Sequence, residues 1–405
     1  MQVQEKIKIL IDKGVKIPNE RWVDIGEEVD LDRIGSGVTI NPGSRIYGSK
    51  TTICSGTILG SEGPVTVENC QIGSRVELKG GYFRDSVFLD GVSMGYGSHV
   101  REACILEEES STAHCVGLKH TILFPFVTLG SLINFCDCLM AGGTSRKNHG
   151  EVGSSFIHFN FTPYGDKATA TLIGDVPGGV MLDKPPVFLG GQGGIVGPLR
   201  LGFGNVVAAG SILRGDFTDE GKLICEKVPA RKVRSASFEK EKRVGVERVV
   251  TNNLFYIANL LSLKEWYLQV RRIFFADREF GKYLLDGAIE KIKMAIGERL
   301  KRLGELERAV PSGKYSEGIR DGYKKLEDFY GLYEMKTTDK TSTEFREKFL
   351  EELNKFKKES NYIETIKSLP SDVKKSGTMW LDEVVKNFMN ETTRFFPFII
   401  SRNVD

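Results

Sequence analysis

The sequence predicts two architectures in series. A mainly β, parallel β-helix (solenoid) occupies residues 21–235, and an α-helical bundle occupies 236–405, with a short helical lead-in at 1–20. Three observations carry this. An aliphatic residue, often followed by glycine, recurs about every six positions through the first part. Of the 45 glycines, 35 fall in residues 1–235. Of the 110 charged residues, 60 fall in the last 170.

The periodic series opens with Ile25-Gly26, Ile34-Gly35, Ile40 and Ile46. It continues through Ile72, Val76, Leu78, Leu89, Met94 and Val100, then Leu129, Ile133, Val152 and Ile173. It closes with Leu189, Ile195, Leu201, Val207 and Leu213. A period of six suits neither a helix at 3.6 nor a plain strand at 2.0. It suits straight pieces joined by tight corners, one aliphatic pointing inward per piece and a small residue making each bend. A single piece cannot bury its apolar side, so stability must come from stacking.

The phase slips at Lys119–Phe126, Asn160–Ala170 and Asp175–Pro186, which read as loops thrown out of the coil. The last two are rich in Gly, Pro, Asp and Lys, as turns are. From Phe238 onward the spacing becomes helical. Ile289, Ile292, Ile296, Leu300 and Leu303 make one stripe, and Phe345, Phe349, Leu353 and Phe356 another. Pro311-Ser312-Gly313 and Leu369-Pro370-Ser371 read as breaks between helices. Five or six helices are expected, placed as a cap on the open end of the solenoid, which such repeats require.

Composition narrows the function classes. A net charge of +2 argues against a protein devoted to gripping nucleic acid. No run of about 18 uncharged apolar residues predicts a membrane span, and the charged start MQVQEKIKILIDKG does not read as a secretory signal. The seven cysteines include no C-x-x-C pair, which favours reduced thiols in a cytoplasmic protein. Cys136-x-Cys138 supplies only two ligands, too few for a zinc site.

VFLGGQGGIVGPLRLGFGNVVAAGSILRGD (Val187–Asp216) resembles the closing coils of the hexapeptide-repeat acyltransferases. The likeness is in particular to the acetyltransferase domain of the bifunctional UDP-N-acetylglucosamine pyrophosphorylase/glucosamine-1-phosphate N-acetyltransferases. Asn148-His149 resembles that family's histidine pair. Asn160–Gly165 followed by Thr171–Asp175 resembles its asparagine-tyrosine-aspartate-glycine loop. The general resemblance covers about residues 20–216. No leading nucleotidyltransferase region is recognisable, so no pyrophosphorylase activity is expected.

The resemblance implies a left-handed β-helix, a homotrimer, and acetyl-CoA meeting an amino sugar or amino sugar phosphate between subunits. It implies no metal. A histidine would act as general base, because an amine attacks a thioester only as the free base and imidazole can take its proton near neutral pH. His149 matches by context. His158 is the alternative, because the stretch between His149 and Asn160 is shorter than in the family. Substrate contacts fall to Arg146, Lys147, Asn148, Asn160, Tyr164, Lys167 and Lys184, the cations standing in for family basic residues that LGSLINFCDCLMAGG lacks. CoA contacts fall to Gly191, Gln192, Ala209 and Arg214, with Gly191 where the family has serine. Carbonic anhydrases of this fold space their zinc histidines five apart, whereas His114 and His120 are six apart. The competing functional reading is a non-catalytic trimeric scaffold, or a sugar- or nucleotide-sugar-binding protein, that has kept the coil and lost the acceptor residues.

Overall fold

The computed structural model describes residues 3–159, 167–226, 245–309, 315–335, 344–357 and 361–399. After helix α1 (Val3–Asp12) the chain winds into a parallel β-solenoid with three faces. Face 1 has ten strands, from Asp24–Ile25 to Ile212–Leu213; face 2 has eight, from Thr52–Ile53 to Leu199–Leu201; face 3 has ten, from Thr39–Ile40 to Leu223–Ile224. Every periodic aliphatic named above is buried, and most fill the interior of the prism.

The corners explain which residues the coil tolerates. Between faces 1 and 2, Asn69, Asp85, Ala103, His120 and Asp137 stack in the left-handed conformation. The residue that follows each corner must be small and able to donate a hydrogen bond. Cys70, Ser86, Cys104, Thr121, Cys138 and Thr171 fill this column. Each donates back to the carbonyl two residues earlier, at 3.5 Å for Cys70, 2.8 Å for Ser86, 3.0 Å for Thr121 and 3.4 Å for Cys138. Three of the thiols are thus buried corner donors interchangeable with hydroxyls, and none of the seven cysteines is in a disulfide.

Lys119–Phe126 does not leave the coil, contrary to the phase slip. It contains the face 2 strand Ile122–Leu123, paired with Ile105–Leu106 and Leu139–Met140. The phase is hidden because His120 (φ +46°) and Phe126 (φ +72°) take corner positions where glycine is usual. True excursions occur later on face 3. From Ser111 to its partner Thr128 is 17 residues, from Thr128 to Glu151 is 23, and from Glu151 to Phe188 is 37. The first insertion is a hairpin of Gly143–Ser145 and Asn148–His149. The second includes the short helix α2 (Val176–Gly179), capped by Asp175.

Helices follow: α3 (Val246–Trp266), continued through a π turn at Tyr267–Arg271 into α4 (Arg272–Phe275), then α5 (Gly281–Ala309), α6 (Ser316–Met335), α7 (Glu344–Phe356), α8 (Tyr362–Ser368) and α9 (Ser371–Thr393). They lie along face 2 rather than across an open end, correcting the expected cap. The reason is in the outward side chains of face 2. Val87, Ile105, Ile122, Leu139 and Leu172 form an in-register apolar ladder, and all are buried in one cluster with the helices. Burial of each contributes about 1.5–3 kcal/mol. α5 runs over successive strands of this face, packing on Gln71–Ile72, Ser86–Phe88 and Cys104–Leu106. Gly287 of α5 sits so close to Gln71 that a Cβ there would lie 2.3 Å from its Oε1.

Charged pairs buried at this seam add specificity. Arg271, 1% exposed, donates to Glu108 at 2.6 Å, and Tyr267 donates to Glu107 at 2.6 Å. Arg299 donates to Asp137, which also faces His120 Nδ1 at 3.3 Å. Burial pushes the Asp137 carboxyl up, but Arg299 and His120 outweigh it and hold it below its ordinary range.

Candidate functional site

The predicted residues divide among three places on the prism. The first is the corner of faces 2 and 3, where the Gly143–His149 hairpin projects. Gly143 begins it at φ +111°, and a Cβ there would lie 2.8 Å from His149 Cα, so only glycine permits the close return. At its tip, the Arg146 guanidinium donates to the carbonyls of Glu109 (2.9 Å) and Phe126 (3.0 Å) and to Thr128 Oγ1 (3.0 Å) and Ser111 Oγ (3.1 Å). All four acceptors are neutral. His149 Nδ1 lies 2.9 Å from the Arg146 carbonyl. A carbonyl only accepts, so that nitrogen carries the hydrogen and Nε2 holds the lone pair. Asn148 Nδ2 donates to Thr144 Oγ1 at 2.9 Å, and Lys184, whose carbonyl receives Gly143 N–H, faces Glu220 at 3.8 Å and the Phe203 ring.

The second place is the corner of faces 3 and 1. Here Gly153, Gly190 and Ala209 stack with almost no room between backbones. A Cβ on Gly190 would lie 2.3 Å from Ala209 N, and one on Gly153 2.4 Å from Gly191 N. Gln192 takes the left-handed corner (φ +54°), its N–H bonded to the Ser154 carbonyl. Arg214 follows on face 1, exposed, donating to the Ile212 carbonyl. A whole side of the prism, roughly 15 Å for five residues of strand, separates this corner from the hairpin. One chain therefore does not bring His149 and Ala209 together.

The third place is the interior. His158 pairs in register with Ile195 on face 1, and the ring is 4% exposed. Its Nε2 lies 2.9 Å from Thr171 Oγ1, which itself donates to the Thr169 carbonyl. Burial pushes the imidazole down to about 4. The ring is thus a buried, hydrogen-bonded residue of the prism interior, whereas His149 is half-buried on the projecting hairpin. Lys167 is exposed beside face 2 near Glu305 of α5; burial pushes that carboxyl up, but Arg302 foremost, with a smaller pull from Lys167, holds it below its ordinary range. Asn160 and Tyr164 lie outside the described residues.

Sequence reasoning missed a cleft of about 1250 Å³ between the face 2–face 3 corner, the hairpin tip and α8. Its solenoid wall is a stack of corner residues, Arg75 (φ +56°), Gly91, Glu109 (φ +57°) and Phe126. Only its hairpin residues Arg146 and Lys147 were singled out beforehand; the cleft needs α8 to exist, and no periodicity reveals where α8 docks. Among the described residues no group of three or more His, Cys, Asp or Glu side chains is arranged to hold a metal ion. No described helix is long and apolar enough to cross a membrane.

No family model matches the chain. It is similar to the bifunctional protein GlmU of Thermotoga sp. strain RQ2 and of Thermotoga maritima, each 25% identical over 214 residues. That stretch is 52% of this chain and 42% of theirs. Bifunctional protein GlmU of Geotalea uraniireducens is 26% identical over 208 residues, 51% of this chain and 40% of its own. The matched stretch therefore spans about two fifths of the length of these relatives. Together with the parallel solenoid, these relatives fit the hexapeptide-repeat acetyltransferase domain that Val187–Asp216 resembles.

Proposed function

We propose that the chain is an acetyl-CoA-dependent N-acyltransferase acting on an amino sugar or amino sugar phosphate, with its site completed between copies of a homotrimer. The GlmU relatives and the solenoid support an acetyltransferase-like function. The observation that carries the finer reading is the placement of His149 and of the Gly190–Ala209 stack on different corners of one prism. Side-by-side prisms bring one copy's hairpin corner against another's flat, side-chain-poor corner, where a pantetheine arm can lie against backbone.

In this reading His149 Nε2 takes the proton of the acceptor's ammonium or attacking amine, and Nδ1–H to the Arg146 carbonyl fixes the tautomer. The amine nitrogen bonds to the thioester carbon, the C–S bond breaks, and the CoA thiolate leaves and is protonated. Asn148 and Lys184 border the acceptor, and Gln192 and Arg214 border the donor. A cytoplasmic setting, with its thiols reduced, belongs to the same reading.

Thiol release from acetyl-CoA against a panel of amino sugars and their phosphates tests it. Turnover should fall at least about 100-fold in His149→Ala and persist in His158→Gln. No turnover on any acceptor, with no CoA binding by calorimetry, overturns it. One observation favours the scaffold reading instead: Arg146 spends four hydrogen bonds holding the hairpin onto the coil. Sugar binding without CoA binding would decide for it.

A further inference from the structure

We infer that the cleft between the solenoid corner and α8 is a binding site for a small phosphate-bearing ligand, adjoining the proposed acyl-transfer site at the hairpin and built by one chain alone. The argument is a balance of charge. Four cations line the cleft from three directions: Arg75 on the corner stack, Arg146 and Lys147 on the hairpin tip, and Lys367 on α8. Among the described residues none of them has a carboxylate within ion-pair distance. Arg146 meets only carbonyl and hydroxyl oxygens, so its charge stays uncompensated.

The acids of the cleft floor are already neutralised. Asp90 faces Arg278 at 3.1 Å, and Glu108 faces Arg271 at 2.6 Å. That leaves Glu109 and Glu364, both exposed, against four unpaired cations. Four cations against two carboxylates leave the concavity with a net positive charge, which favours entry of an anion. All four are exposed, Arg75, Lys147 and Lys367 have no side-chain partner among the described residues holding them in place, and guanidinium and ammonium donors suit phosphate oxygens. Arg146 bridges the carbonyls of Glu109 and Phe126, two and three coils from Arg75. At about 4.8 Å per coil, the two ends of the site lie roughly 12 Å apart, room for a phosphate at either end or a diphosphate with its substituent between them. Gly91 leaves the middle of the wall without a side chain. The volume of about 1250 Å³ exceeds what a bare phosphate needs, so an ester rather than the free anion is the expected occupant.

The inference shares Arg146 and Lys147 with the acyl-transfer reading but does not require acyl transfer. The test is calorimetry on the full chain at low salt with three probes: inorganic phosphate, inorganic pyrophosphate and adenosine diphosphate. Binding of at least one probe is expected, tightest for a probe with a substituent, and weaker as salt rises. Arg75→Ala and Lys367→Ala, on opposite walls and exposed, should each weaken it at least about tenfold with unchanged melting temperature, while Lys8→Ala on α1 should not. Binding that survives both cleft substitutions, or no binding of any probe, overturns the inference. Since no CoA or acceptor is present, a chain that binds these probes yet never transfers acetyl would retain this site and lose only the proposed activity.

Discussion

Replacing Arg271 with methionine isolates what the seam between helices and solenoid contributes. Its guanidinium is 1% exposed, donates to Glu108 at 2.6 Å and lies 3.8 Å beneath the Tyr362 ring. Methionine keeps much of the volume and leaves Glu108 buried without its main partner. Breaking a buried pair from one side costs about 3–5 kcal/mol. Arg278, 3.7 Å from the same carboxylate oxygen, retains part of the compensation and moves the cost toward the lower end. Loss of the cation–ring contact adds about 1 kcal/mol. The sum is about 4 kcal/mol at pH 8. The deficit narrows as pH falls, because an unpaired buried carboxylate takes up a proton in the folded state at higher pH than in the unfolded chain. Removing both charges in Arg271→Met/Glu108→Met should cost less than the single change, since no orphaned charge remains. Denaturant unfolding followed by helical circular dichroism at pH 8 and pH 5.5 checks all of this. An Arg271→Met variant within 1 kcal/mol of the parent, or a double variant less stable than the single one, would refute the reasoning.

Two further outcomes follow from the solenoid. His158 is held near pKa 4 when folded and has an ordinary value near 6.5 when unfolded; the unfolded chain therefore binds the extra proton first, and stability should drop by about 3 kcal/mol as pH falls from 7 to 4. In His158→Gln that part of the pH dependence, measured by urea unfolding, should vanish; an unchanged slope would count against the buried neutral ring. At the face 3–face 1 corner, Gly190→Ala forces a Cβ against Ala209 backbone at 2.3 Å and should cost about 3 kcal/mol, whereas Gly210→Ala, with open space and only φ +76° to strain, should cost about 1 kcal/mol. Equal shifts in melting temperature for the two would mean the stacked corner yields more easily than its geometry implies.

The solenoid was legible because each coil repeats the same demand for one inward aliphatic, from Ile25 to Leu213. The misread stretch, Lys119–Phe126, shows the limit of that pattern. Left-handed corners are recognisable when glycine fills them, and His120, Asp137 and Phe126 fill them without glycine. The helical stripe Ile292–Ile296–Leu303 was equally plain and is buried in α5. Its destination was misjudged, although the signal was present. Val87-Phe88-Leu89, Ile122-Leu123-Phe124 and Leu139-Met140-Ala141 are apolar at every position, as strands covered on both faces must be, while Thr39-Ile40 or Ser93-Met94 on face 3 alternate. Reading those triplets every 17 or so residues would have put the helices on face 2.

The candidate site was less readable. A histidine's neighbours in sequence say little about whether it points in or out: His149 falls on a hairpin projecting from the coil and His158 on an inward position of a face 1 strand. Arg146 and Lys147 were identifiable as cations near a histidine, but their setting depends on α8, more than 200 residues away in the chain. Arg75 and Lys367 carried no motif at all. Charge that matters because it lacks a partner is visible only once partners can be counted.

The course of α5 over several successive strands alters how the whole array can come apart. Stacked repeats ordinarily behave as a row of independent rungs that fray from an end, each held only by the rung above and below. Here one rigid rod is fastened to the Gln71 rung through Gly287 and to the Asp137 rung through Arg299. No intervening rung can loosen without prising the rod from its fellows, so the tier between them should melt as a single block, leaving gradual fraying to the uncovered ends.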